Sequence, residues 1–151
     1  MLNNDGAMET IVNRLAFLAS YLILDLGPGL PPLTQKLIKY CQQLIVVVEP
    51  VPNSIQHAKA LIADLVGLGV SARNIQAVII NRVRSDVQLN AAQTQEKLEH
   101  PVPVVITPAP ELFYQAARTK SVASILQTSG LTGQQFAKLA STMLELEKRP
   151  L

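Results

Sequence analysis

Four short apolar runs divide this chain at nearly regular intervals: YLILDL (21–26), LIVVVEP (44–50), QAVIINR (76–82) and VPVVITP (102–108). Each is rich in β-branched residues and nearly continuous in hydrophobicity, which predicts strands covered on both faces. Segments of helical spacing lie between them. Over 53–67, Ile55, Ala58, Ile62, Leu65 and Val66 share one face, with Asn53 or Ser54 as N-cap and Gly67 and Gly69 closing the helix. Further helices are predicted over 8–19, 33–42, 88–98, 110–118 and 133–147, with Thr132 and Gln135 as a capping box for the last. Strand alternating with helix predicts an α/β fold, a parallel β-sheet with right-handed crossovers and helices on both faces. One domain over 1–151 is expected, its core at about 8–147 and its ends frayed.

Composition narrows the classes of function. The chain is 48% hydrophobic but only 4% aromatic, so the core is aliphatic. A net charge of +2 gives little bulk attraction for nucleic acid or an anionic membrane. Cys41 is the single cysteine and can form no internal disulfide. No apolar run is long enough to span a bilayer, and MLNNDGAMET lacks the basic start and apolar centre of a signal peptide. These features predict a cytoplasmic domain. The two histidines, His57 and His100, belong to no H-x-x-H or Cys/His cluster, so a metal centre or thiol chemistry has no ligand set in sequence.

In a parallel sheet, ligands collect at the carboxyl ends of the strands. Those ends read DLGPG, EPVPNS, NRVRSD and TPAPE. Each is polar or conformationally special, and the prolines supply stiff turns while leaving carbonyls free. Taken singly the residues are ambiguous. Asp25 reads as a ligand-edge acid or as an ordinary loop acid, Gly29 as a turn glycine, and Asn81 as a turn former at a strand end.

In this order, the strand ends resemble the C-terminal part of the MinD/ParA family of ATPases, the CpaE-like branch most of all. YLILDLGPGL resembles that family's Walker B strand and switch II loop, and LIVVVEPVPNSIQHAKALIADL the next strand and helix. AVIINRV resembles the strand carrying an adenine-contacting Asn-Arg pair. VVITPAPELFYQAARTKSVASI resembles the late strand and the segment near the base. The resemblance spans about residues 10–145 and implies a P-loop NTPase-like fold. It implies that Asp25 holds Mg through water, that Gly29 faces the γ-phosphate, that Asn81 and Arg82 meet the adenine, and that Pro108 lines the base pocket. ATP or ADP with Mg is then the cofactor of a complete parent protein.

Half of that site has no counterpart in the sequence. A phosphate loop needs glycine N–H groups around the phosphates, followed by Lys and Ser/Thr. No GxxxxGK[ST] or KGG occurs, and none of the seven glycines precedes a lysine. Phosphoryl transfer depends on positioning the triphosphate, so autonomous ATP hydrolysis is not expected. The expected fold class is therefore P-loop NTPase-like, of the MinD/ParA type, lacking the P-loop strand. In the family that strand lies between the Walker B strand and the strand that follows it in sequence, so its loss predicts that 21–26 and 44–49 pair directly or that the chain dimerises there. The expected function is regulatory or scaffolding, as the C-terminal portion of a MinD/ParA/CpaE-like ATPase or a degenerate relative. The expected partner is a protein, either a second copy or an ATPase-like chain.

Three other readings compete. Weak nucleotide binding within a longer ATPase is the first. A receiver-like response regulator is the second, but its acidic cluster and late lysine are missing, since the later strand ends carry Glu49, Asn81 and Thr107. A pure interaction module is the third, with Phe136, Leu139, Ala140, Met143 and Leu144 at helical spacing. The polar face of that helix mixes both signs of charge, which favours packing onto the sheet over membrane binding. Arg73, Arg82, Arg84, Arg118 and Lys120 lack interleaved aromatics, which weighs against a nucleic-acid surface.

Overall fold

The computed structural model describes residues 4–81 and 88–147. The chain divides into two compact units, one ending at Gln42 and the other beginning at Gln43. In the first, helix α1 (Asn4–Ala16) is followed by a segment without regular structure, then by α2 (Pro32–Leu37) and a 3-10 turn over Ile38–Tyr40. Pro32 opens α2, where its missing N–H costs nothing. The Tyr40 hydroxyl donates to Glu9 of α1 at 3.2 Å.

The second unit holds the sheet: β1 (Leu44–Val48), β2 (Ile75–Ile80) and β3 (Val104–Ile106), in that order and all parallel. Its helices are α3 (Pro52–Gly67), α4 (Ala91–Leu98), α5 (Pro110–Arg118), α6 (Ala123–Leu126) and α7 (Leu131–Glu147). Register fixes which side chains share a face. Leu44 pairs with Ile75 and Val78 with Val104, so Leu44, Val46, Val48, Ile75, Ala77 and Ile79 lie on one face. Ile45, Val47, Val78, Ile80, Val104 and Ile106 lie on the other.

Helix α3 packs on β1 and buries Ile55, Ala58, Ile62 and Leu65, the stripe read from the sequence. It covers the first face, where Leu44, Val46 and Val48 are buried. Helix α7 covers the second, with Phe136 and Leu139 packed against Val78, Ile80, Val104 and Ile106. The expected parallel sheet with helices on both faces is therefore present. A smaller cluster of Leu112, Ala116 and Ala123 ties α5 to α6.

Several expectations are corrected. Residues 21–26 form no strand, so the sheet has three strands among the described residues and the direct pairing of 21–26 with 44–49 is not made. Propensity makes a strand only where a neighbour takes its N–H and C=O groups. Strand β1 is not covered on both faces either: its burial alternates, and Ile45 and Val47 are exposed. Helix α3 is capped by neither Asn53 nor Ser54; it begins at Pro52, and Ser54 Oγ instead accepts the Glu49 N–H at 3.1 Å. Gly69, at φ +92°, does close α3 in the left-handed region. Helix α7 begins before Thr132, and Gln135 bonds to Thr107 rather than completing a capping box. The capping box that does form is Asn90 with Gln93, at the start of α4. No helix among the described residues is long and apolar enough to cross a membrane.

Candidate functional site

The carboxyl ends of β1, β2 and β3 form one edge of the second unit, the place where a parallel sheet presents ligand-binding groups. Asn81 directly follows β2, and its N–H donates to the Ile106 carbonyl at 3.0 Å. That bond carries the β2–β3 ladder one step past the strands and sets Asn81 beside Thr107. The Asn81 side-chain oxygen is buried and has no hydrogen-bond partner among the described residues. A buried polar atom left in that state costs about 1–3 kcal/mol.

Around it the edge is held by side chain to backbone bonds. The Thr107 N–H and hydroxyl both donate to Gln135 Oε1, at 3.1 and 3.3 Å. Helix α7 therefore covers the sheet and also anchors the end of β3. At β1, the Val51 N–H donates to the Glu49 carbonyl at 2.8 Å, and the Leu89 N–H reaches the Pro50 carbonyl at 2.9 Å.

Asp25 and Gly29 lie in the first unit, in a loop that turns sharply. The Gly27 N–H donates to Asp25 Oδ1 at 3.1 Å, an Asx-type turn. Gly27 and Gly29 adopt φ +67° and +74°, and no atom crowds a Cβ at either, so conformation rather than space requires glycine there. The loop is tied to α2 by Thr34, whose hydroxyl donates to the Leu26 carbonyl at 3.3 Å. Arg82, the last of the sequence-derived site residues, lies outside the described residues, as does Arg84.

Other reactive side chains have local roles. His100 Nε2 lies 2.7 Å from the Ile75 carbonyl, so the ring holds its proton on that nitrogen and links the end of α4 to the start of β2. The Cys41 thiol donates to the Leu37 carbonyl at 3.6 Å, and burial raises its pKa above the ordinary thiol value. Arg118 stacks over Tyr114 at 5.8 Å. No three His, Cys, Asp or Glu side chains converge on a metal-sized site among the described residues. An open groove of about 550 Å³ lies between α6 and α7, lined by Ile125, Gln127 and Ser129 among others.

Sequence reasoning read Gln135 as a helix cap rather than as the acceptor for Thr107, and it missed Gln43. The Gln43 amide donates to the Met143 carbonyl at 3.0 Å, joining the start of β1 to α7. Gln43 lies in no pattern that distinguishes it from a solvated glutamine.

No family model and no curated protein matches the sequence. Solved structures do match. A ParA family ATPase from Chlorobium tepidum TLS superposes with a TM-score of 0.79 at 12% identity, over 90% of this chain and 56% of that one. The MinD cell division protein of Aquifex aeolicus gives 0.73 at 20% identity, over 97% of this chain and 61% of that one. The MinC:MinD complex of the same organism gives 0.74 at 20% identity, over 97% and 60%. The chain thus spans about three-fifths of the length of the structures it matches. With a parallel sheet, helices on both faces and these superpositions, the chain has the α/β fold of the MinD/ParA type of P-loop NTPase.

Proposed function

We propose that this chain is a regulatory or scaffolding module on the MinD/ParA ATPase fold, acting through protein contact without hydrolysing ATP by itself. It corresponds to the C-terminal portion of a MinD/ParA/CpaE-like ATPase or to a degenerate relative. One observation carries the reading: the fold is that of an ATPase, yet its 151 residues contain no glycine–lysine phosphate loop. Hydrolysis needs the triphosphate held and its charge neutralised, and a lone carboxylate such as Asp25 does neither. Protein contact is the favoured alternative because one structural neighbour is a MinC:MinD complex.

A nucleotide fits these residues only in part. The buried, unpartnered Asn81 oxygen suits an N–H donor such as the amino group of adenine. The phosphate end lacks the donor set it requires, so no chemical step is derived through a nucleotide. The Asn81 oxygen does favour a second reading, in which the chain retains weak nucleotide binding through Asn81 and Pro108.

Calorimetric titration with ATP and ADP in Mg, alongside phosphate release, tests both readings. The expected result is no phosphate release above background. Release abolished by Asp25→Asn would overturn the module reading. Nucleotide binding lost on Asn81→Ala would establish the second reading beside it.

A further inference from the structure

We draw no further inference here: the strongest candidate, the exposed apolar patch of Val122, Ile125 and Leu126 at α6 with Leu131 at the start of α7, carries nothing because nothing in the structure shows what covers it.

Discussion

Gly133 lies inside α7, and its replacement by alanine separates helix propensity from packing. Alanine in a helix interior is worth about 1 kcal/mol over glycine, so sequence alone predicts stabilisation. The structure predicts the reverse. A Cβ at Gly133 would lie in hard contact with the Gln127 carbonyl oxygen, 2.6 Å from that of Thr128 and 3.0 Å from the Thr128 carbonyl carbon. These are backbone atoms and cannot rotate away, so the start of α7 or the turn before it must shift. Overpacking of this kind costs about 1–3 kcal/mol; set against the propensity gain of about 1 kcal/mol, the net loss reaches about 2 kcal/mol. For a chain of this size that lowers Tm by up to about 8 °C. Gly67→Ala is the control: it sits in the last turn of α3 with no atom within 4 Å of its Cβ, and should gain about 0.5–1 kcal/mol. Urea unfolding followed by circular dichroism reads both as shifts in midpoint at unchanged slope. The displaced α7 should also loosen the Gln135–Thr107 bond, read as lost hydrogen-exchange protection at the Thr107 N–H. If Gly133→Ala stabilises the chain as Gly67→Ala does, the close approach of α7 to residues 127 and 128 is refuted.

Two other outcomes are expected. Gln135→Leu removes the acceptor of both Thr107 donors and should cost about 1–2 kcal/mol in urea unfolding, with protection lost first at the β3 end. The Cys41 thiol, raised by burial, should react with iodoacetamide more slowly near neutral pH than an unhindered cysteine peptide. Its linkage has a definite sign. Stability is unaffected below the ordinary thiol value and falls as pH rises from there through the folded value, because the unfolded thiol ionises first. Cys41→Ser should lack that alkaline slope when urea midpoints are compared across pH.

Much of the second unit was legible in the sequence because its signals are local. The stripe Ile55, Ala58, Ile62 and Leu65 announces the buried face of α3, Gly69 its end, and the runs around 44–48, 75–80 and 104–106 their strands. The missing phosphate loop is also a property of sequence alone. What tertiary structure decided were questions of partnership. Residues 21–26 have the composition of a strand but acquire no neighbour, and strand structure is completed only by a second backbone. Ser54 and Gln135 carry the chemistry of caps, yet their oxygens accept from Glu49 and Thr107, which folding brings within reach. Asn81 is an ordinary strand-end residue until burial leaves its oxygen without a donor. Periodicity and propensity act over a few neighbouring residues and can be read along the chain. A hydrogen bond across 28 residues, such as Thr107 to Gln135, depends on where α7 meets the sheet, and only the folded structure determines that.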